Sequence, residues 1–473
     1  MNAAFHDVQR IVLVGGGSWQ AAQQLVIGFA EGCDPLHFLQ RLMQAHPITA
    51  AQAARPALQL SLGFSRRGLE RARVPAHVLA CFAARAPAFH AGAALRAASH
   101  AGQYGDNAPA YWDGDFGFTT LDAVLSLHAT AAAEAALDDA VLKIKAIAAD
   151  SGAHTAELPR AQRLYGQRGE LRVHFGLRDG LSRIGINGCT DPKELGRCKP
   201  TSMHEAGEFV LGHPQNSGAN PWLSTDGRQV WPKELRVFFH NGSFGVLHQV
   251  EQYVDEFEAF ITEAVREAAA AGAEGLGAEA IRAKLCGRSS EGRPAGLGAG
   301  TDPRDDFDYA DDVRGEGCPF GAHTRRMNAR LAEPGATPAQ AHDADQGPAH
   351  SHRRPLLRRG MPYGRDAGEP CGLIGQFFCA SIEDQFEHLL GQWADRVPLG
   401  SPDRGGARDP LIGAHQAGDG GFEIPLPGGR SLLLHGLRPF TRTRGTAYLF
   451  YPSLTALQQI AEDRLFAPLP EDE

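Results

Sequence analysis

The order of strand-like and helix-like segments constrains the fold of this chain more than any other sequence feature. Residues 10–14, 58–64 and 121–128 are short apolar runs that predict three buried strands. The periodic segment at 20–30 and the alanine-rich run at 129–149 predict helices. The resulting order of strand, helix, strand, strand and helix is that of a ferredoxin-like α+β unit.

A second unit with a similar order of elements follows a polar, turn-rich segment at 150–170. We therefore predict an α+β fold class with two ferredoxin-like domains and antiparallel sheets, divided as residues 1–160 and 161–473. Segments dominated by glycine, proline, alanine and aspartate predict loop insertions at 271–312 and 332–355. The second domain has predicted strands at 172–177, 235–239 and 371–380 and predicted helices from Val254 and from Ser381, where Ser381 and Asp384 make a capping pair.

Charge and cysteine content narrow the class of partner. The formal net charge of -9 and the pI of about 6.1 argue against binding to nucleic acid or to an anionic membrane, and favour a small-molecule partner. No apolar window approaches a membrane span, and the N-terminal residues lack a leader pattern, so we expect a cytoplasmic protein. The 8 cysteines are too sparse for a disulfide framework. Cys189 and Cys198 could be metal ligands, but they lack the usual spacing, which favours ordinary thiols.

A glycine cluster at Gly15, Gly16 and Gly17 follows a predicted strand and precedes a predicted helix, as dinucleotide-binding folds require. The third glycine position of that pattern falls on Gln20, however, and no alternating series of strands and helices follows to build a parallel sheet. A tight turn is therefore the favoured interpretation of the cluster.

Three further segments are ambiguous when each is taken alone. Asp179 is framed by glycines at the end of an apolar run, which is typical of a turn. His323 follows a Cys-Pro dipeptide and precedes two arginines, and a lone histidine is more often a packed or surface residue than a ligand. Arg358 and Arg359 enter a Gly/Pro turn and could form a solvated face.

Taken together and in this order, the three segments resemble the dye-decolourising peroxidase family. The family has its acid in Gly-x-x-Asp-Gly, its iron ligand in Cys-Pro-x-x-Ala-His-x-Arg, and its distal arginine in Arg-x-Gly-x-Pro-Tyr-Gly, and all three runs are present here. Two departures are Arg183-Ile184, where many members have Gln-Pro, and the long segment 324–357, which could reshape access to the haem edge. The resemblance extends over nearly the whole chain through 105–112, 207–212, 241–244, 381–393 and 409–413.

This resemblance implies a haem peroxidase with non-covalent haem b in the C-terminal domain. It implies that His323 binds the iron and that Asp409 is its hydrogen-bond partner, although Asp409 could equally be a helix cap or a turn residue. On the opposite face, Asp179 would move a proton between the oxygens of hydrogen peroxide, while Arg358 would stabilise negative charge as the bond breaks. The other partners would be small organic electron donors such as dyes or phenolics, and the chain could form a homo-oligomer.

Other side chains have weaker predicted roles. Arg325 and Arg326, just after the ligand, could pair with haem propionates, and we favour this role for one of them over two solvated cations. Electrons could travel through Tyr363, Trp393 or Trp231, although packing is the favoured explanation for each of these aromatic residues.

Two other functional classes stay open at this point. A haem-binding protein for storage, trafficking or iron release would share the fold and His323, but would not need the paired acid and cation. A haem-free interaction module would require the His323 motif to be accidental. An absorption spectrum of the purified protein tests whether haem is bound, which excludes or supports the haem-free module. A peroxide titration then distinguishes a haem carrier from a peroxidase.

Overall fold

The chain is described by a computed structural model. The described residues are 3–15, 17–113, 121–182, 184–189, 203–222, 233–296, 305, 307, 309, 311–328, 354–364, 368–395, 408–416 and 420–465. Trp231 and Cys198 lie outside the described residues, as does most of the predicted loop at 332–355. Within the described part of the chain, no helix has both the length and the apolar character needed to cross a lipid bilayer.

In chain order, the helices and strands of the described residues form an N-terminal group and a C-terminal group. The first contains α1 (Arg10–Leu13), β1 (Trp19–Phe29), α2 (Pro35–Ala45), β2 (Leu58–Phe64), α3 (Arg66–Arg71), α4 (Ala76–Arg85), α5 (Pro87–Ala91), α6 (Ala93–His100), β3 (Ala123–Thr130), α7 (Glu134–Asp150) and β4 (Ala153–Glu157). The second contains β5 (Ala161–Gln162), β6 (Leu164–Tyr165), β7 (Leu171–Arg172), β8 (Gly185–Ile186), β9 (Met203–His204), α8 (Lys233–Phe239), β10 (Ser243–Gln252), α9 (Val254–Ala270), α10 (Ala278–Cys286), α11 (His323–Met327), β11 (Leu357–Arg358), β12 (Met361–Tyr363), β13 (Gly372–Cys379), α12 (two consecutive π-helical segments, Ile382–Glu387 and Leu389–Ala394), β14 (Gly420–Leu426), β15 (Arg430–Leu437), β16 (Thr441–Tyr451) and α13 (Leu454–Ala461). Short 3-10 turns lie at Ala3–Phe5, Gly105–Asn107, Pro109–Tyr111, Ala131–Ala133 and Ala206–Glu208.

Both halves of the chain have the ferredoxin-like topology, which confirms the predicted fold class. In the first half the antiparallel order is β2-β3-β1-β4, with α2 after the first strand and α7 after the third. In the second half the order is β16-β10-β13, and β11 and β12 both pair with the free edge of β13. Here α9 follows the first strand of the unit and α12 follows β13, so each half contains strand, helix, strand, strand, helix and strand. The division at residue 160 itself stays a prediction.

The two sheets join at both edges into a closed ring of eight strands. On one side Phe64 of β2 pairs with Phe450 of β16, and on the other Tyr363 of β12 pairs with Ala161 of β5, which also pairs with β1. The ring closes because β10 pairs with both β13 and β16. Apolar residues from both sheets, such as Val124 and Leu449, pack together inside this barrel.

The outer faces of the sheets are covered by helices. Leu25 and Leu127 pack against α2 and α7 in one core, which also contains a group of phenylalanine rings around Phe82 of α4. Full burial of each such side chain contributes about 1.5 to 3 kcal/mol relative to exposure. The helix α2 begins at a polar cap, since Asp34 accepts hydrogen bonds from two amides of its first turn.

The first two predicted elements are wrong in type: the predicted strand is a helix, and the predicted helix is a strand. Residues 10–13 form the helix α1, and residues 20–29 of the segment predicted as a helix lie in β1. Ten of the eleven residues of β1 are buried, since one face meets the helices and the other faces the barrel interior, so the alternation that marks a strand is missing.

The second domain contains three further corrections. The predicted loop at 271–312 contains a helix, α10, which spans Ala278–Cys286. The predicted strand at 235–239 lies in α8, where Phe238 and Phe239 pack into the aromatic group around Phe82. Of the predicted strand at 172–177, only Arg172, the last residue of β7, lies in a strand, because Gly176 has a left-handed backbone and the segment turns.

The other predicted elements are confirmed with small shifts of their ends. Strands are found at β2, β3 and β13, and helices at α7 and α9. The predicted helix from Ser381 is present as α12, which is a π-helix rather than an α-helix. Its predicted cap is also confirmed, since the Ser381 hydroxyl accepts a hydrogen bond from the Asp384 amide.

Candidate active site

His323 opens α11 and is oriented by a buried carboxylate. Its Nδ1 lies 2.8 Å from Oδ2 of Asp409, whose side chain is completely buried. The other oxygen of Asp409 accepts hydrogen bonds from the backbone amides of Leu411 and Ile412. Because a carboxylate accepts the hydrogen bond at Nδ1, that nitrogen carries the proton and Nε2 keeps its lone pair.

The charge of this carboxylate is stabilised by its surroundings. Burial would raise the pKa of Asp409, but its pairing with His323, the charge of Arg326 and the hydrogen bond from the Leu411 amide outweigh burial and hold the pKa below its usual range. His415 fixes the backbone of the same turn, since its Nε2 lies 2.8 Å from the carbonyl oxygen of Asp409. The pair of His323 and Asp409 therefore has the geometry of an anionic partner for a metal-binding imidazole.

Arg325 occupies a packed position beside α11. Its guanidinium donates hydrogen bonds to the Asp312 carboxylate at 3.0 Å and to the Cys318 carbonyl at 2.6 Å. It also lies 4.4 Å from the ring centres of both Tyr309 and Phe320. These contacts indicate that Arg325 holds the loop before the histidine against the helix that contains it.

Arg326 is buried as well, and its Nε donates to the carbonyl of Trp393 in α12 at 2.8 Å. The positive charge of Arg326 is one of the causes that lower the pKa of Asp409. Neither Arg325 nor Arg326 lines the cavity described next. The propionate role predicted for one of them stays a prediction, and the structure gives both arginines other partners.

One cavity of about 1790 Å³ brings His323, Asp179 and Arg358 to the same space. The cavity lies on the helix-covered side of the second sheet, because Leu373 and Phe377 of β13 line it while the alternate residues of that strand face the barrel interior. Apolar side chains from four segments supply much of its wall, namely Met327, Leu373, Phe377, Phe386, Leu389, Leu390, Leu411 and Ile412. Such a wall and volume fit a large, flat, mostly apolar group.

Asp179 lies in an exposed turn that is fixed from both sides. Its backbone amide donates to the Leu171 carbonyl, and the preceding Arg178 amide donates to the Ser290 carbonyl. Arg172 ties the same turn together by donating to the carbonyls of Gly176 and Ser290. The carboxylate is therefore presented to the cavity by a constrained backbone, while its side chain stays accessible to small molecules.

Arg358 and Arg359 are adjacent in the chain but have different surroundings. Arg358 is exposed and lines the cavity from β11, where it pairs with Phe377. Arg359 also lines the cavity, but its guanidinium donates to the carbonyls of Ile11 and Val12 at the end of α1. Burial and the charge of Arg358 lower the pKa of Arg359 to about 10. Because its N–H donors are occupied by backbone carbonyls, Arg359 is poorly placed to bind a ligand in the cavity in place of Arg358.

Two of the predicted electron-transfer residues are packed side chains. Tyr363 is 4% exposed and belongs to the core inside the barrel, and burial raises the pKa of its hydroxyl. Trp393 is 8% exposed and stacks edge-on against His388. Packing alone accounts for both positions, and their role in electron transfer stays a prediction.

Sequence reasoning missed several arginines that line the same cavity. Arg163 lies close enough to Asp179 to be affected by its charge, although burial dominates and lowers the pKa of this arginine. It belongs to the polar segment that was interpreted only as a domain boundary, so nothing in the sequence marked it. Arg178 precedes Asp179 directly and could have been found from that position. The arginines that line the cavity besides Arg358 and Arg359 are Arg10, Arg55, Arg163, Arg172, Arg178, Arg288 and Arg354.

Two alternative interpretations are not supported by the geometry. The described glycines of the cluster, Gly15 and Gly17, follow a helix and precede a strand, which is the reverse of the order that a dinucleotide site requires. Cys189 is a buried thiol whose pKa is raised to about 12 by burial, a poor environment for a thiolate ligand.

Comparisons with known proteins point to one group. No protein-family profile matches the chain. The chain is 26% identical to a dye-decolorizing peroxidase from Mycetinis scorodonius over 324 residues, covering 61% of this chain and 56% of that protein. It is 26% identical to a dye-decolorizing peroxidase from Mycena epipterygia, covering 77% and 70% of the two chains. A multifunctional dye peroxidase from Amycolatopsis is also 26% identical, over 92% of this chain and 91% of that protein.

Solved structures agree on the fold. A fungal DyP-type peroxidase from Auricularia auricula-judae superposes with a TM-score of 0.74 at 22% identity, covering 98% of this chain and all of the other. A DyP-type peroxidase from Anabaena gives a TM-score of 0.72 at 19% identity, covering 97% and 95% of the two chains. At these identities the structural likeness establishes the architecture. The chain spans little more than half the length of the first of the sequence relatives.

Proposed function

We infer that this chain, which is homologous to the dye-decolourising peroxidases over most of its length, is a haem peroxidase that reduces hydrogen peroxide and oxidises small organic donors. The observation that carries this inference is the arrangement of one cavity. An imidazole held by a buried carboxylate opens into it, and an accessible acid and an accessible arginine line it as well. A protein that only carries haem has no need of that acid and cation.

The residues present fit a haem group. The cavity is large and part of its wall is apolar, and His323 offers an unblocked Nε2 because its Nδ1 is occupied by Asp409. When bound, the haem supplies the iron and the redox chemistry of the reaction. We propose haem b held without covalent bonds, since the sequence contains no Cys-x-x-Cys-His attachment motif. All four proposed site residues, Asp179, His323, Arg358 and Asp409, lie beyond residue 160, which supports binding in the C-terminal domain.

Asp179 is the proposed proton carrier. Its carboxylate can take a proton from one oxygen of hydrogen peroxide and return it to the other, so that water can leave. An accessible carboxylate in a fixed turn suits this role, because the small substrate reaches it and its position does not change.

Arg358 is the proposed electrostatic stabiliser. Its guanidinium can compensate the negative charge that develops as the bond between the oxygens breaks. Arg359 contributes less, because its donors are engaged by the carbonyls of Ile11 and Val12.

The remaining assignments are also proposals. We place the domain boundary near residue 160, which is supported by the end of β4 at Glu157. We propose a cytoplasmic location, with which the seven free cysteines among the described residues agree. A homo-oligomer stays a prediction that light scattering coupled to size-exclusion chromatography checks.

The function is tested by mixing the haem-loaded protein with hydrogen peroxide and following the haem absorption in a stopped-flow instrument. We expect a fast second-order reaction, slowed about 10² to 10⁴-fold by Asp179→Asn and about 10² to 10³-fold by Arg358→Leu. The loss in Arg358→Leu should persist at every pH, whereas Asp179→Asn should change the pH dependence. Arg66→Leu, which removes a surface arginine paired with Glu70, is the matched control.

Two results would contradict this assignment. If both variants with equal haem content react like the unchanged protein, the acid and the cation do not act on peroxide. If the unchanged protein binds haem but barely reacts, a role in haem storage or transfer replaces the peroxidase.

A further inference from the structure

The interior of the eight-stranded barrel contains a polar band that the proposed active site does not use. Residues on the inner face of each strand alternate with residues of the outer cores, which places Gln24, Gln59, Ser126, His128 and Gln376 inside the ring. Each of these side chains is at most 2% exposed. An eight-stranded barrel is just wide enough to be filled by side chains or to hold a small ligand.

Strand register brings these side chains next to one another. His128 of β3 lies opposite Gln59 of β2, and Ser126 lies opposite Gln24 of β1. Gln376 reaches across from the second sheet, because its Nε2 donates to the Ser126 hydroxyl at 2.6 Å. The five residues therefore form one group, which we call the interior polar group, at the junction of the two sheets.

Six polar atoms of the interior polar group have no hydrogen-bond partner among the described residues. They are Oε1 of Gln24, both amide atoms of Gln59, both ring nitrogens of His128, and Oε1 of Gln376. Leaving one buried polar group unsatisfied costs about 1 to 3 kcal/mol. Native proteins rarely tolerate several such groups together, and bound water commonly satisfies them.

The chemistry of these atoms identifies their ligand. Three amide oxygens accept, the Gln59 amide nitrogen donates, and a neutral imidazole offers one donor and one acceptor. Burial and the charge of Arg163 lower the pKa of His128 to about 3, so the ring is neutral at ordinary pH. The interior polar group offers an anion only two unpartnered donor groups, one in Gln59 and one in His128, and it offers a cation no carboxylate.

We propose that the barrel interior is a hydration chamber, in which ordered water molecules bind the interior polar group and link the two sheets. Water fits because each molecule can donate twice to an excess of acceptors. Trp19 connects the two regions: it lines the large cavity, and its ring centre lies 4.3 Å from that of His128. The proposal does not depend on haem or on peroxidase activity.

The direct test is a crystal structure of the haem-loaded protein at a resolution that shows ordered water. We expect at least two water molecules within hydrogen-bond distance of His128 and Gln59. A dry interior in which the glutamine amides have rearranged to pair with one another would overturn the proposal. A cation at the amide oxygens, recognised by its anomalous scattering, would do the same.

A variant provides an independent measurement. Gln59→Met keeps the length of the side chain but removes its amide. In a hydrated chamber this change removes two ligands of bound water, so we expect a lower midpoint of chemical denaturation. In a dry interior it removes two unsatisfied groups, and a higher midpoint would contradict the proposal. Gln9→Met is the control, because Gln9 has protein partners at both amide atoms and its loss lowers the midpoint in either case.

Discussion

Replacing Asp409 by asparagine should separate haem binding from stability. The carboxylate accepts three hydrogen bonds, two from the amides of Leu411 and Ile412 and one from His323. An asparagine can keep its oxygen on the two amides, but its NH₂ group then faces Nδ1 of His323. That nitrogen must become an acceptor, so the ring proton moves to Nε2 and the lone pair needed by iron is lost.

The expected loss can be estimated from this geometry. Removing the hydrogen-bond partner of a metal-binding histidine typically weakens metal affinity about 10 to 100-fold, which corresponds to about 1.4 to 2.7 kcal/mol. The stability of the haem-free protein should change little, because the two backbone hydrogen bonds remain and the third is kept in the reverse direction. Asp409→Ala, in contrast, leaves two backbone amides without an acceptor at about 1 to 3 kcal/mol each.

Titration of the haem-free protein with haemin, followed by the Soret absorption, measures the affinity, and thermal unfolding measures the stability. Asp138→Asn is a suitable control, because it removes a surface carboxylate that pairs with Arg160. An Asp409→Asn protein that binds haemin as tightly as the unchanged chain would refute the argument that Asp409 sets the tautomer of His323.

Three further predictions concern the protein around the site. Arg325→Met should lower the free energy of unfolding by about 3 to 5 kcal/mol, measured by denaturant titration, because it leaves the carboxylate of Asp312 without its buried partner. Gly391→Ala should lower the thermal midpoint and loosen the contact between α12 and α6, since its Cβ would lie 1.9 Å from the His100 carbonyl oxygen; an unchanged midpoint would show that the helices can move apart. Burial lowers the pKa of His248 to about 4, so the unfolded state binds more protons below its own pKa of about 6.5. The haem-free protein should therefore lose stability as the pH falls from 6.5 toward 4. His248→Gln should reduce the slope of the unfolding free energy against pH by up to about 1.4 kcal/mol per pH unit. Equal slopes for both proteins would contradict this expectation.

The sequence predicts the topology better than it predicts the first elements. The correct fold class was reached although residues 10–14 and 20–30 were each assigned the wrong type of structure. The actual first strand and helix, β1 and α2, lie later in the chain than the predicted ones. They follow each other in the same order, so the predicted topology is still correct. A strand buried on both faces has no polar alternation, and a short apolar run such as 10–14 is compatible with either structure.

At the candidate site, residues with local motifs could be found and residues placed by tertiary structure could not. Asp179, His323 and Arg358 stand in recognisable runs and line one cavity. Arg325 stands in the same run as His323, but its guanidinium is engaged by Asp312 and by two aromatic rings. No spacing rule reports such contacts, because they depend on how the preceding loop folds back.

The closed ring also has a consequence for the order in which the protein is made. The strand β2 keeps an unpaired edge until β16 arrives, and β16 is the last strand of the described chain. A nascent chain therefore presents an open sheet edge to its neighbours during most of its synthesis. Loss of β16 would expose β2 and β10 at once, so a chain truncated before Thr441 should aggregate rather than leave a stable first domain.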